Sequence, residues 1–415
     1  MKLPDRWKYI KLSDIGNISK GSGIKREDSN SGTIPAVRYG ELYTSHNDYI
    51  KEFYSFISEK VAEESVLLKK GDLLFTCSGE TKEDIGKCAA FVSDCKAYAG
   101  GDLIIFSPKV PCDSKFLGFL CNSYSINKQR YRYAQGDSVV HISTESIANL
   151  KIPFPPLAEQ QKIAEILCKQ DKIISLNQKL LEQKQKQKKW LMQKLLGIPH
   201  TNADCEEKIS LGGVVIDKSG WKQERIKDVS TKIIAGATPS TKIKDFWNGN
   251  ISWMSSGEIN KRIIFETEIK ISQLGYESCS TKIVPPKSVL IALAGQGKTR
   301  GMVAVNEIAL CTNQSLASVI PKNIDYKFLF YFLDSKYSDL RMISSGDGSR
   351  GGLNLEIISN YEIYLPTLPE QKIIAKVLSA ADKEIALLKS SIEQEKQKKK
   401  SLAQLLLTGT VRVKI

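Results

Sequence analysis

The segment Phe154–Leu196 returns as Leu365–Leu407, shifted by 211 positions without a gap, and 19 of the 43 aligned residues are identical. Unrelated segments of ordinary composition would share about three. The identities include Leu157/Leu368, Glu159-Gln160/Glu370-Gln371, Ile163-Ala164/Ile374-Ala375, Asp171-Lys172/Asp382-Lys383 and Leu195-Leu196/Leu406-Leu407. A repeat at this distance rules out a short-period solenoid. It leaves one module used twice: a globular region and a helix, then the same again. A chain built so does one thing at two places.

Each repeated segment follows prolines, Pro153, Pro155 and Pro156 in the first copy and Pro366 and Pro369 in the second. Proline suits a helix start, where the missing N–H would have no partner anyway. Two columns of residues then recur at a spacing of seven. One reads Leu167, Ile174, Leu181, Lys188, Leu195, copied as Leu378, Ile385, Ile392, Lys399, Leu406. The other reads Ile163, Gln170, Asn177, Lys184, Leu191, copied as Ile374, Ala381, Leu388, Glu395, Leu402. The first is a coiled-coil seam; the second is polar through its middle in the first copy. A helix of about 38 residues runs ~57 Å and cannot bury such a stripe alone. The two copies are therefore expected to pack on each other, antiparallel if a pseudo-two-fold axis relates the halves. The lysine and glutamine runs Glu182–Lys189 and Glu393–Lys400 read as solvated helix faces ahead of phosphate contacts.

The globular regions repeat more loosely. Trp7-Lys8 matches Trp221-Lys222, Asp14 matches Asp228, Gly40-Glu41-Leu42 matches Gly257-Glu258-Ile259, and Leu73-Leu74-Phe75 matches Val289-Leu290-Ile291. The runs Leu73–Phe75 and Leu103–Phe106 predict buried strands and Phe116–Tyr124 a short helix, with breakers at Gly21-Ser22-Gly23 and Gly100-Gly101. Between the halves, Pro199, Gly212, Gly213 and Gly220 mark a linker. The reading is a globular domain over 1–150, a helix over 151–197, a linker over 198–220, a second domain over 221–362, and a second helix with a tail over 363–415. The fold class is two α/β (α+β) domains separated by two long helices packed as an antiparallel coiled coil.

A net charge of +14 with pI near 9.1 points to a polyanionic partner, with a basic surface kept for solubility as the alternative. Nine cysteines contain no CxxC pair, and His46, His141 and His200 stand at no metal-ligand spacing, so neither a disulfide framework nor a metal site is expected. The first residues lack the apolar core of a signal peptide, and runs such as Val289–Ala294 fall far short of the ~20 residues of a membrane helix. A cytoplasmic protein without a membrane partner is expected.

Catalytic signals fail on inspection. Ala294–Gly301 contains Gly297-Lys298-Thr299, but a phosphate-binding loop needs glycine five residues before Gly297, where Ala292 stands. The acid- or amide-led Pro-Pro-aromatic loop of adenine methyltransferases is absent: Phe154-Pro155-Pro156-Leu157 and Val284-Pro285-Pro286-Lys287 have neither flank. No catalytic residue is assigned. Polar loops fit recognition instead. In the first domain they hold Lys25, Arg26, Arg38, Tyr39, Ser78, Lys82, Ser138 and His141. In the second they hold Thr238, Ser240, Lys242, Ser255, Ser256, Gln296, Lys298, Thr299, Arg300 and Arg350. Such side chains reach base edges or phosphates, although any single one is equally plain loop surface.

The order of variable domain, Pro-Leu-x-Glu-Gln helix, variable domain and a second such helix resembles the specificity (S) subunit of type I restriction–modification systems (the HsdS family). The resemblance spans nearly the whole chain. It is carried by Ile152–Ala164 and Ile363–Ala375, the Leu405–Gly409 ending, Trp7 and Trp221, the loop Gly236–Ser240, and His141-Ile142-Ser143. The first helix departs from it by ending Leu195-Leu196-Gly197-Ile198 without the Thr408-Gly409 of the second. The resemblance implies a non-catalytic subunit in which each domain reads half of an asymmetric, interrupted double-stranded DNA target. The helices would act as a ruler and dock two methyltransferase subunits. Coiled-coil or docking roles fall to Leu157, Glu159, Gln160, Ile163, Leu167, Ile174 and Leu181, and to Leu368, Glu370, Gln371, Ile374, Leu378, Ile385 and Ile392. No cofactor is expected on this chain: S-adenosylmethionine would come with the methyltransferase subunits, and ATP and magnesium with two restriction subunits where these are present. A duplicated coiled-coil scaffold with non-specific DNA binding is the alternative.

Overall fold

The computed structural model describes residues 4–136, 139–197, 208–211, 214–295, 298–343 and 352–415. The chain forms two compact units, one comprising the residues up to Lys179 with Ser390–Ile415, the other Leu180–Lys389.

In the first unit, strand Lys8–Lys11 pairs antiparallel with Lys151–Phe154, bringing the start of the globular region beside its end. Between them lies an antiparallel sheet in the order Gly16–Lys20, Leu103–Pro108, Leu73–Thr76, Cys88–Ala90. A second, mixed sheet runs Ser55–Ile57, Ile34–Val37, Tyr98–Ala99, Val66–Leu67. The central strands are continuously apolar because both faces are covered. Leu73, Phe75, Ile104 and Phe106 pack with Phe116, Leu117 and Leu120 of helix Ser114–Cys121. Leu74, Leu103 and Ile105, pointing the other way, pack with Val37, Leu42 and Ala99. The short helix expected over Phe116–Tyr124 is in fact two, Ser114–Cys121 and Tyr124–Tyr133. Asp113 starts the first by accepting from the Phe116 amide at 2.8 Å.

The second unit repeats this plan. Lys222–Arg225 pairs with Glu362–Leu365, and a five-stranded sheet runs Ser230–Ala235, Leu316–Pro321, Ser288–Ala292, Val303–Asn306, Ile263–Ile264. Val289 and Ile291 face Phe328 and Phe332 of helix Tyr326–Ser335. Leu290 and Ala292 face Met254, Ile259 and Leu316. A three-stranded sheet of Ile269–Ile271, Trp247–Met254 and Cys311–Thr312 completes the domain. Within the stretch read as a linker, Lys208–Leu211 and Val214–Asp217 form an antiparallel hairpin, while 198–207 and 212–213 lie outside the described residues.

The repeated segments are helices of 40 residues each, Leu157–Leu196 (the central helix) and Leu368–Leu407 (the distal helix), each ~60 Å long. In the first unit the beginning of the central helix lies antiparallel along the end of the distal one: Gln170 Nε2 donates to the Glu395 carbonyl at 3.3 Å and Asp171 meets Lys399 at 2.8 Å. In the second unit the end of the central helix lies along the beginning of the distal one, with Lys184 2.8 Å from Glu384 and Lys188 paired to Asp382. The expected seam is the inward face. Leu167, Ile174, Leu195, Leu378, Ile385, Ile392 and Leu406 are buried, as are Ile163 and Ile374, and Leu181 is half-buried.

Candidate nucleic-acid interface and its mounting

The repeated Glu-Gln pair mounts each domain on its helix. Gln160 Nε2 donates to the Pro155 carbonyl at 2.8 Å while its Oε1 accepts from the Asp113 amide at 2.9 Å. Gln371 does the same with Pro366 and Asp325, both at 2.8 Å. A side-chain amide both donates and accepts, so one residue joins the strand before the long helix to the capped start of the domain's buried helix. Both glutamines are buried inside their own units. The expectation that Gln160 and Gln371 serve helix pairing or a partner-facing surface is corrected accordingly.

Glu159 is likewise buried, accepting from the Trp7 indole at 3.1 Å and pairing with Arg412 of the tail. Its copy Glu370 accepts instead from the amides of Asp217 and Thr367 at 3.1 and 2.9 Å and from the Thr367 hydroxyl at 2.7 Å. The indole N–H of Trp221, the counterpart of Trp7, is buried and has no hydrogen-bond partner among the described residues.

On the first domain, hydrogen bonds sew distant loops into one surface. The Gly21 amide donates to Leu103 O, Gly101 to Gly23 O, Cys77 to Asp102 O and Ile142 to Cys77 O, at 2.8–3.0 Å. Only glycine fits at 21, since a Cβ would lie 2.0 Å from Gly100 O. The Tyr43 hydroxyl donates to Thr76 Oγ1 at 2.7 Å and approaches Ser78 O at 2.9 Å. Burial raises its pKa, which keeps it a neutral donor. Ser78 Oγ is 3.1 Å from His141 Nδ1. The structure thus brings Tyr39, Ser78 and His141 together, with Tyr39 and Ser78 lining a cavity of about 580 Å³ whose other walls include Tyr43, Thr81, Val139 and the acidic Glu80 and Asp84. Lys25 and Arg26 are exposed, Lys25 standing 3.9 Å from Glu27, and Lys82 is half-buried. Arg38 is partly committed, its Nε 2.9 Å from Ser55 Oγ and 3.4 Å from Glu41. Ser138 lies outside the described residues.

The second domain is sewn similarly. Thr238 Oγ1 donates to Gln314 Oε1 at 2.7 Å, the Trp253 indole to Ala237 O at 3.0 Å and the Trp247 indole to Ser240 O at 3.1 Å. The two indoles meet edge to face at 5.4 Å. Asn313 donates to Met254 O, Leu293 to Ser315 O, and the Tyr337 hydroxyl to Lys298 O. Loops carrying Thr238, Ser240, Lys242, Ser255, Ser256, Lys298, Thr299 and Arg300 are thereby held side by side. Thr238, Ser240, Lys242 and Lys298 are exposed, and Ser255, Ser256, Thr299 and Arg300 are half-buried. Gln296 and Arg350 lie outside the described residues.

Sequence reasoning missed Trp247, Gln314 and Tyr337, whose places depend on long-range pairing. It also missed exposed Tyr131 and Tyr133, which flank Arg132 just before the paired Gln135 and His141. There a signal existed: alternating tyrosine and arginine suits stacking and phosphate contact. Together these surfaces offer hydroxyls, amides, an imidazole, aromatic faces and cations, the groups that read base edges and hold phosphates. Among the described residues no cluster of His, Cys, Asp or Glu could hold a metal ion, and no helix is long and apolar enough to cross a membrane.

Comparison with known proteins gives a consistent result. The family model of the type I restriction modification DNA specificity domain matches residues 4–184 and again 218–397. The MjaVIII type I restriction enzyme specificity subunit of Methanocaldococcus jannaschii is 25% identical over 431 residues, covering 100% of this chain and 95% of its own. The crystallised S subunit of a type I restriction–modification system from M. genitalium shares 14% identity at a TM-score of 0.60, with 98% of each chain covered. A chain from a structure of type I R-M complex assembly and conformational transition shares 17% identity at 0.63, with 99% of this chain and 100% of that one covered. These structural likenesses concern the fold.

Proposed function

The chain belongs to the type I restriction modification DNA specificity family, and from that premise we propose that it is the specificity subunit of a type I restriction–modification complex. Each globular domain reads one half of an interrupted double-stranded DNA target. The observation that carries this is the double match of one specificity-domain model, at 4–184 and 218–397, on two units whose loops carry different residues. Two identical readers would read a palindrome, so unlike readers imply an asymmetric target.

In this reading Tyr39, Ser78 and His141 contact one half-site, and Thr238, Ser240, Lys242, Lys298 and Thr299 the other. Lys25, Arg26 and Lys82 hold phosphates. The net charge of +14 supplies the salt-sensitive part of the affinity through counterion release. The subunit performs no chemistry itself. Two methyltransferase subunits bring S-adenosylmethionine, restriction subunits where present bring ATP and magnesium, and the complex works in the cytoplasm. The deciding experiment is single-molecule sequencing of adenine methylation in the source genome with and without this gene. Loss of one bipartite motif is the expected result. Unchanged methylation, with DNA binding that depends steeply on salt but not on sequence, would favour the scaffold reading instead.

A further inference from the structure

Each unit carries a lysine set into the helix seam, and the two are copies of each other. Lys399 lies 211 residues after Lys188, as Asp382 lies 211 after Asp171. In the first unit Lys399 Nζ is 2.8 Å from Asp171 of the central helix and 2.9 Å from Asp48 of the globular domain, above the Phe119 ring at 5.0 Å. In the second unit Lys188 pairs with Asp382 of the distal helix, and its Nζ lies 5.7 Å from the centre of the Tyr331 ring. Asp382 also accepts from the Tyr331 hydroxyl at 2.9 Å, and Arg262, fixed by two 2.8 Å bonds to Asp334, stands 3.9 Å away. The helix-to-helix pair is the same in both units. The third group, which ties the pair to the domain, differs: a loop carboxylate in one unit, a helix tyrosine in the other.

We propose that Lys188 and Lys399 are register pins, which fix how far each helix slides along its partner and how each globular domain sits on the pair. A seam of leucine and isoleucine at a spacing of seven is nearly degenerate under a slip of one heptad, because apolar residues meet apolar residues again. The pins remove that degeneracy. After such a slip Asp171 faces Ile392 or Leu406, and Asp382 faces Leu181 or Leu195, so a carboxylate loses its cation against an apolar side chain. Lys188 faces Lys389 or Ala375. A partly buried charge left without its partner is strongly unfavourable, which makes one register dominant. On the function proposed above, this register sets the distance between the half-sites, and Lys188 and Lys399 are positioning residues for it.

The test uses the full chain. Spin labels carried on unnatural amino acids at exposed Lys172 and Lys400 report the register of the first unit, and labels at exposed Lys189 and Lys383 that of the second. Lys399→Leu and Lys188→Leu are each expected to add a second population displaced by ~10 Å, one heptad of rise. Lys→Arg at either position is expected to keep one narrow distance. A single unchanged distance in both Leu variants, with helix content intact by circular dichroism, overturns the pins. In parallel, Lys188→Leu/Lys399→Leu is co-expressed with the methyltransferase subunits. Methylation of sites whose spacer is about three base pairs longer or shorter, the ~10 Å slip at 3.4 Å per step, should rise about tenfold or more, the scale of a coupling near 1.4 kcal/mol. A second distance population with an unchanged spacer would overturn the link to target spacing. Wild-type protein that directs no bipartite methylation would sink the proposed function, while the distance measurement still decides the pins.

Discussion

Replacing Gln160 by leucine tests the mounting most directly. The substitution preserves bulk but removes the donor to the Pro155 carbonyl and the acceptor of the Asp113 amide, bonds of 2.8 and 2.9 Å. A buried polar group left unpaired costs about 1–3 kcal/mol. The Pro155 carbonyl sits inside, so it falls within that range, whereas the Asp113 amide is only partly buried and can take up a water, so it adds little. Leucine recovers up to about 1 kcal/mol through its extra apolar surface. The net loss is about 1 kcal/mol, or roughly a fivefold rise in local opening at 1.4 kcal/mol per factor of ten. Hydrogen exchange with mass spectrometry reads this peptide by peptide. Peptides over 113–121 and 155–163 should exchange faster, while those over 325–335 serve as an internal control. Gln371→Leu should give the mirror result. Exposed Gln161→Leu should change stability by no more than about 0.5 kcal/mol. Unchanged exchange at 113–121, or equal acceleration in both units, would refute the staple: the first would mean the bonds carry no weight, the second that the loss is not local.

Three further outcomes are expected. His46 is buried with its Nε2 3.9 Å from Glu41 and without a hydrogen bond among the described residues, and burial holds its pKa below the ordinary value against the pull of Glu41. The unfolded chain therefore binds the proton first, so the first unit should keep its full stability above pH ~6.5 and lose it as pH falls toward the lower folded-state value. Melting from pH 7.5 to 5.5 reads this, and His46→Gln should flatten the slope. On the DNA side, Lys298→Ala with Thr299→Ala should cost about 1–3 kcal/mol per lost contact at one half-site and leave the other intact, whereas Tyr39→Ala with His141→Ala should do the reverse; competition binding with each half-site mutated reads both, and equal losses at both halves would reject the assignment. Inserting four residues into both helices between the pins adds ~6 Å, or about two base-pair steps, so the methylated motif should gain a spacer of that length; an unchanged spacer would reject the ruler.

The helices were legible in the sequence because their constraints are local. A seam demands an apolar residue every three or four positions, and the columns through Leu167 and Leu378 proved to be the inward faces. The strands Leu73–Thr76 and Leu103–Pro108 were legible for a similar reason, as continuous apolar runs covered on both faces. What escaped depends on pairing across the chain. Nothing near Gln314 announces the hydroxyl of Thr238 as its partner, and nothing near Lys298 announces Tyr337. The glutamines of the Glu-Gln pair were misplaced for the converse reason. Their helical position fits an outer face, and only Asp113 and Asp325, on other elements, show why they turn inward.

The same contrast explains why the repeat survives in the helices and has nearly faded from the domains. A core strand needs apolar side chains in an alternating pattern and total volume, so Leu73-Leu74-Phe75 and Val289-Leu290-Ile291 fill equivalent places while sharing only the middle leucine. A hydrogen-bonded staple or a charge pair needs particular atoms at particular distances. No other residue gives Gln160 and Gln371 a donor and an acceptor on one planar end of the same reach, and Asp171 with Lys399 and Lys188 with Asp382 must keep both charges. The mounting glutamines and the helix-to-helix charge pairs are therefore held fixed, and the sheet that carries the loops is held only in pattern. Loops mounted so can change their surface chemistry freely, because none of the recognition residues named above enters the joint, and this is the division of labour expected of two readers that share one frame and read different sequences.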